Sequence, residues 1–312
     1  MAEISAPGGC EIGLRPIDLH LSSLRLMGAQ IETEGGVLSC RCPDGLRGEK
    51  ITLSFPSVGA TENILIAAAS ADGETVILNA AREPEIADLA DFLCSCGAHI
   101  SGAGSGEITV CGVKKLHSAE HTVIPDRIIA STYMAAAAVT GGDVRILDTR
   151  AEHITPVIPV FEQAGCKVDC GENSVHISAP VRLRSVQTVR TMPYPGFPTD
   201  SQAAVMAMLS VAHGTSVMIE NIFENRYRHV RELCRLGADI MTEGKVAVIK
   251  GVETLTGACV CAADLRAGTA LVVAGLAAQG STTIENVCLI DRGWQDMEEK
   301  LRSLGAEIER ES

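Results

Sequence analysis

A short phrase recurs along this chain: a helix-like run, then Gly-Ala or Gly-Cys, then a strand-like run. It reads LRLMGAQIET, FLCSCGAHIS, FEQAGCKVDC, LCRLGADIMT and LRSLGAEIER, with its glycine at Gly28, Gly97, Gly165, Gly237 and Gly305. Successive glycines stand 69, 68, 72 and 68 residues apart. A steady period of about 70 residues marks one structural unit used repeatedly, and it constrains the fold more than any local motif. A second series, Gly73, Gly142, Gly214 and Gly280, precedes the next landmark by 24, 23, 23 and 25 residues.

The unit can be spelled out between these landmarks. Alanine-rich segments such as IASTYMAAAAVTGG, SQAAVMAMLSVAHG and TALVVAGLAAQG predict helices that end at a glycine cap. A β-branched run follows, then a second helix, then the Gly-Ala turn and two strands able to pair as a hairpin. This alternation predicts an α/β fold in which sheets cover buried helices. The polar stretch KKLHSAEHT, residues 114 to 122, reads as a boundary between two lobes of related architecture, 1–122 and 123–312. Only 27 residues precede Gly28, where a full unit needs about 70 on the same period, so the first lobe is expected to be incomplete.

Hydrophobic residues make up 46% of the chain but aromatics only 3%, which suits small helices packed closely together. A net charge of −13 argues against nucleic acid or an anionic membrane as a partner, since both are bound by basic surfaces. An anionic small molecule would have to be held by local arginines. The longest apolar stretches, MAAAAV from Met134 and LVVAGLAA from Leu271, fall short of the roughly 20 residues that span a bilayer. Twelve cysteines without an export signal predict free thiols in a reducing cytoplasm. The pairs Cys40/Cys42, Cys94/Cys96 and Cys259/Cys261 lack the C-x-x-C spacing of zinc sites, so no metal is expected and most cysteines read as small core residues.

Charged and reactive residues collect at two places in the repeat. One is the start of the alanine-rich helix: Ser57-Val58-Gly59, Asp126-Arg127, Thr199-Asp200 and Asp264-Leu265-Arg266. The other is the approach to the second helix: Arg15-Pro16, Arg82-Glu83-Pro84, Asn225-Arg226 and Asp291-Arg292. Helix N-termini offer free N–H groups and a positive dipole end, so they suit anions. Each residue also has a plainer reading. Thr199 and Gln202 have capping-box spacing, which would leave Asp200 complementing a helix dipole, and any single arginine can be a surface residue. Cys10, in the run APGGCEIG, lies in a predicted exposed loop, where nearby arginines would activate its thiol. The run GAGSG at 102–106 sits between two strand-like runs and reads as a hairpin turn rather than a phosphate loop.

The blocks PGGCEIGLRPIDLH, FPSVGAT, NAAREPEI, YPGFPTDSQA, ENIFENRYRHV, ADLRAGTALV and IDRGWQDMEEKLRSLGAEIER together resemble the enolpyruvyl transferases, from Ala2 to near the C-terminus. The resemblance implies an inside-out α/β barrel architecture in two lobes, each of three units, with the active site in the cleft between them. It also implies transfer of the enolpyruvyl group of phosphoenolpyruvate to the 3′-hydroxyl of UDP-N-acetylglucosamine, releasing phosphate. That is the first committed step of peptidoglycan synthesis, on which cell shape and division depend. It would be carried out in the cytoplasm by a transferase without cofactor, metal, nucleic acid or membrane partner.

Carried over by position, Cys10 would donate a proton to the enol methylene, Asp200 would take the hydroxyl proton, and Arg292 would complete the catalytic set. Arg15, Pro16, Ile17, Asp18, Leu19, Ser57, Val58, Asp200 and Ile222 would contact the sugar nucleotide. Arg266 and Arg292 would surround phosphoenolpyruvate, with Arg226 in the same substrate-binding set. Family members open with a segment that has no counterpart here, so the chain is expected to be a fragment lacking roughly 110 residues on the repeat period. A catalytically silent or partner-dependent remnant is the alternative.

Overall fold

A helix leaves its last carbonyls without partners, and the recurring Gly-Ala turn supplies two. In the computed structural model, which describes residues 2–5 and 17–311, Gly97 N–H donates to Cys94 O and Ala98 N–H to Leu93 O, both at 2.9 Å. At Gly237 the bonds run to Cys234 O at 3.0 Å and from Ala238 N–H to Leu233 O at 3.1 Å. The same pair closes the helices before Gly28, Gly165 and Gly305. Gly97 and Gly237 have φ of +100° and +92°, a left-handed backbone that costs other residues about 1–2 kcal/mol. In the second series the left-handed residue of the GG pair is Gly141 (φ +65°), not Gly142. Gly142 N–H instead reaches back to Ala137 O at 2.8 Å.

The described residues form two compact units. The first comprises 2–5, 17–124 and 193–195. Its elements are β1 (Ala2–Ser5), α1 (Asp18–Leu26), β2 (Gln30–Glu34), β3 (Val37–Arg41), β4 (Lys50–Thr52), α2 (Val58–Ala68), β5 (Glu74–Leu78), α3 (Pro84–Ser95), β6 (His99–Ser101) and β7 (Glu107–Cys111). One sheet has the order β1-β3-β2, all antiparallel. The other has the order β4-β5-β7-β6, with β4 and β5 parallel across α2. GAGSG is the turn joining β6 to β7, closed by Ser105 N–H to Gly102 O at 3.0 Å. Ile64 and Leu65 of α2 pack with Ile51, Ile77 and Ile108 of the sheet in one core.

The second unit comprises 125–192 and 196–311. It opens with α4 (Arg127–Val139), β8 (Asp143–Leu147), α5 (Ala151–Ile154), α6 (Ile158–Gln163), β9 (Lys167–Cys170) and β10 (Ser174–Ser178). It continues with β11 (Thr188–Arg190), α7 (Thr199–Leu209), β12 (Thr215–Ile219), α8 (Val230–Arg235), β13 (Asp239–Glu243) and β14 (Val246–Lys250). Then come β15 (Leu255–Thr256), β16 (Cys259–Cys261), α9 (Leu265–Ala277), β17 (Ala278–Gln279), β18 (Thr283–Glu285), α10 (Cys288–Asp291) and α11 (Met297–Ser303). Pro156, which lacks an N–H, stands between α5 and α6, so the single helix expected there is broken in two. The sheet β11-β12-β14-β13 has the same order and strand senses as β4-β5-β7-β6. A third sheet, β8-β10-β9, is antiparallel, and β15-β17 and β16-β18 are parallel pairs. No strand follows Gly305 among the described residues.

The class is mixed α/β. Helices α4, α7 and α9 pack on one another, and every residue of α7 from Ser201 to Leu209 is buried. A helix enclosed on all sides needs small residues to let its neighbours approach, which the alanines of these three segments provide. The described α4–α7 contact includes one hydroxyl pair, Ser131 Oγ to Ser201 Oγ at 2.7 Å. No helix of the described residues is long and apolar enough to cross a membrane.

Two glycine substitutions separate conformation from space. A methyl group at Gly237 would meet nothing within 4 Å, whereas one at Gly251 would lie 1.6 Å from Ala212 O. We expect Gly237→Ala to lower unfolding free energy by about 1–2 kcal/mol through its positive φ alone. Gly251→Ala should cost more, because backbone cannot move aside as a flexible side chain can. Urea unfolding of both variants checks this; an equal or smaller loss for Gly251→Ala would refute the close approach.

Candidate active site

Helix α7 starts after Pro198, which provides no side-chain cap. The capping box suggested by Thr199 and Gln202 does not form. The Thr199 hydroxyl donates to Glu220 Oε2 at 3.0 Å, and neither polar atom of the fully buried Gln202 amide has a hydrogen-bond partner. The other three alanine-rich helices are capped. Asp126 accepts from Ile128 N–H at 2.7 Å and Ile129 N–H at 3.0 Å, and Asp264 accepts from Arg266 and Ala267 N–H at 2.9 Å each. Ser57 accepts from Ala60 N–H at 3.3 Å. The carboxylate of Asp200, in the first turn of α7, is engaged by arginines instead.

Arg226 Nη2 donates to Asp200 Oδ1 at 2.5 Å and to Thr199 O at 3.3 Å, and Arg266 Nε lies 3.5 Å from the same Oδ1. The Arg226 side chain is 3% exposed and that of Asp200 43%. The guanidinium is therefore buried, while part of the carboxylate remains open to solvent. Burial works to raise the Asp200 pKa, but the charges of Arg266, Arg226 and Arg127 outweigh it and hold the carboxyl below its ordinary range. The Arg226 guanidinium also sits 5.7 Å from the centre of the Phe223 ring, a cation–π distance. Such an arrangement can hold an anion, and it can hold a carboxylate ionised beside it.

His229 borders this cluster. It is fully enclosed, and burial, aided by the positive charge of Arg226 and opposed by Asp264, pushes its pKa down to about 4. The imidazole is thus neutral at physiological pH.

The sequence-predicted residues fall in several places. Asp200, Arg226 and Arg266 come together. Ile222 lies on the turn leading to Arg226, its N–H bonded to Glu220 Oε1 at 2.8 Å. Arg292 is exposed at the C-terminal end of α10 and makes no ion pair with a described residue. Ile17 is the residue before α1 and Asp18 and Leu19 its first two; α1 packs on α2, which Ser57 caps and Val58 begins. Cys10, Arg15 and Pro16 lie outside the described residues.

The sequence marks Arg127 only as part of a helix start, and it places Glu220 and His229 in the block ENIFENRYRHV without indicating a role for either. A glutamate ending the strand TSVMI and a histidine in RYRHV look like surface residues until their burial is known. The C-x-C cysteines form no metal cluster; among the described residues no group of three or more His, Cys, Asp or Glu could hold an ion.

The buried imidazole has a consequence for stability. His229 takes up a proton near pH 6.5 when unfolded and near pH 4 when folded, so acidification from 6.5 towards 4 favours unfolding, by up to about 3 kcal/mol. We expect His229→Gln to lose less thermal stability than the wild type between pH 7 and 4.5. Identical slopes of Tm against pH would count against a buried neutral imidazole.

Comparison with known proteins places the chain. Residues 2–301 match the model of the family described as EPSP synthase (3-phosphoshikimate 1-carboxyvinyltransferase). UDP-N-acetylglucosamine 1-carboxyvinyltransferase 2 of Caldanaerobacter subterraneus is 52% identical over 309 residues, 99% of this chain and 74% of the relative. The UDP-N-acetylglucosamine 1-carboxyvinyltransferase of Zymomonas mobilis is 51% identical, over 99% of this chain and 72% of its own. Among solved structures, the enolpyruvyl transferase NikO from Streptomyces tendae superposes with a TM-score of 0.87 at 26% identity, covering 98% of this chain and 73% of NikO. The matches take in 99% of the residues of this chain and 74% and 72% of the length of these two relatives. At 52% identity over nearly the whole of its length, and with the family model matched from residue 2 to 301, the chain belongs to the EPSP synthase (3-phosphoshikimate 1-carboxyvinyltransferase) family.

Proposed function

We propose that this protein transfers the enolpyruvyl group of phosphoenolpyruvate to the 3′-hydroxyl of UDP-N-acetylglucosamine with release of phosphate, the first committed step of peptidoglycan synthesis. The observation that carries the reading is the Asp200 carboxylate, held by Arg226 and Arg266 at a helix start that no side chain caps. The names of the relatives at about 50% identity supply the substrates. In this reading Asp200 removes the hydroxyl proton, and Arg226, Arg266 and Arg292 receive the anionic groups. Ile17, Asp18, Leu19, Ser57, Val58 and Ile222, with Arg15 and Pro16, contact the sugar nucleotide. Cys10 donates the proton to the methylene carbon. The enzyme works in the cytoplasm, its substrates being small molecules.

The electrostatics suit this division of labour. A carboxylate held low by arginines is ionised but a weak base. When phosphate and carboxylate groups of the substrates engage the same arginines, the stabilisation of Asp200 falls and its basicity rises. Base strength is thereby tied to occupancy. The architecture we assign is an inside-out α/β barrel of repeated units in two domains, 1–122 and 123–312. The matching strand order of two four-stranded sheets and the identical glycine caps support it.

Phosphate release from UDP-N-acetylglucosamine and phosphoenolpyruvate tests the assignment. Asp200→Asn keeps an acceptor for Arg226 yet removes the base, and should lower kcat by about 10²–10⁴-fold. Wild-type turnover with an unimpaired variant would remove Asp200 from this role.

Thiol reactivity gives a second test. Burial pushes Cys166 up to about 11. Cys170 and Cys259 are also raised, first by burial and then by neighbouring carboxylates. Of the described cysteines only Cys96 and Cys166 are buried, so most are not the core residues expected, and Cys94, Cys111, Cys234 and Cys288 are exposed competitors. In this reading Cys10 is nevertheless the most readily alkylated of the twelve thiols, and Cys10→Ser should abolish the fastest labelling phase at neutral pH. Loss of that phase on replacing another cysteine instead would contradict the assignment.

A further inference from the structure

Glu220 follows β12 and is 1% exposed. A carboxylate so deeply placed must find donors, and this one has four. Thr191 Oγ1 donates to Oε1 at 2.9 Å, Ile222 N–H at 2.8 Å and Phe223 N–H at 3.1 Å. Thr199 Oγ1 donates to Oε2 at 3.0 Å. All four donors are neutral, so the group acts through directed bonds rather than by pairing with a cation. They come from three separate stretches of chain: the residue after β11, the first residue of α7, and the turn that runs on to Arg226. Thr191 extends the network by accepting from Asn221 N–H at 2.8 Å.

The two oxygens have different tasks. Oε1 shapes the turn carrying Ile222 and leading to Arg226. Oε2 holds the residue next to Asp200. The 2.5 Å contact between Asp200 and Arg226 thus joins two segments already fastened to one buried carboxylate.

We infer that Glu220 is a positioning residue for the proposed transfer: its carboxylate locks the Asp200-bearing start of α7 to the turn that presents Ile222 and Arg226. The role rests on the function proposed above, because it concerns how a base and an anion-binding arginine are held relative to each other. Glu220 itself touches no reacting atom.

Hydrogen exchange and steady-state kinetics on the full chain test it, with Glu220→Leu and Glu220→Gln. The leucine removes all four bonds. The glutamine keeps an oxygen for Thr191, Ile222 and Phe223 and puts an amide opposite Thr199. In Glu220→Leu, exchange should quicken in 198–203 and 220–227 while β8, β9 and β10 stay protected. In Glu220→Gln, quickening should be confined to 198–203. Misplacing the base should lower kcat of Glu220→Leu by about 10–100-fold with KM for each substrate within about threefold of the wild type, and Glu220→Gln should lose less.

Unchanged exchange in both variants, or exchange that quickens uniformly across the second unit, overturns the clamp; so does a wild-type kcat in Glu220→Leu. If Glu220→Leu does not fold, the one-sided response of Glu220→Gln decides. A wild-type protein without turnover, whose variants still show the local exchange pattern, would refute the proposed reaction and leave the clamp standing.

Discussion

Burial of α7 on every side is the constraint from which the second unit follows. A helix with no solvent face has only its ends for polar chemistry, and its flanks must be small enough for α4 and α9 to approach. The alanines meet the second demand. The first is met by putting Thr199 and Asp200 at the only turn where polar side chains can reach partners other than the helix itself. Glycine turns pair the last carbonyls of α1, α3, α6, α8 and α11. Of the alanine-rich helices only α4 ends at the expected glycine turn, through Gly141, whereas α2, α7 and α9 end at Ala69, Ser210 and Ala278.

The same arrangement explains how a chain with a net charge of −13 can build a place for anions. Distant surface charges are screened by water and salt, so the local field around α7 is set by Arg226, Arg266 and Arg127 together with the dipole of the helix start. Arg226 is buried at the cost of its hydration, and its contacts with Asp200, Thr199 O and Phe223 offset that loss. Asp200 stays part-exposed. The site is therefore buried on its Arg226 side and open on its carboxylate side.

Much of the fold was legible because glycine carries conformational information that no other residue can. The positive φ at Gly97 and Gly237 needs glycine, and the Gly-Ala phrase states where helices end. The alanine-rich runs announced buried helices. Pro156 splitting a helix was equally visible in principle, but the choice between Gly141 and Gly142 was not, since either glycine could adopt the left-handed turn.

The site was half legible. Asp200, Arg226 and Arg266 were found through their repeat positions, and α7 was expected to start with a capping box. Tertiary contact overrode that local pattern: the Thr199 hydroxyl has a stronger acceptor in Glu220 than helix N–H groups offer as donors to it. The roles of Glu220 and His229, both within the block ENIFENRYRHV, were not legible because burial of a polar residue is decided by what packs over it, which lies far away in sequence.

The hydroxyl pair between Ser131 and Ser201 has a consequence for how α7 can move. A slide of α7 along α4 by one turn would be about 5.4 Å, enough to break the pair and leave the Ser201 hydroxyl without its partner, while Ser131 keeps its bond to Ile128 O at 3.0 Å. Because apolar side chains tolerate sliding far better than unmatched hydroxyls do, this one contact acts as an axial detent. It fixes how far the first turn of α7, and with it Asp200, projects beyond the packed helices.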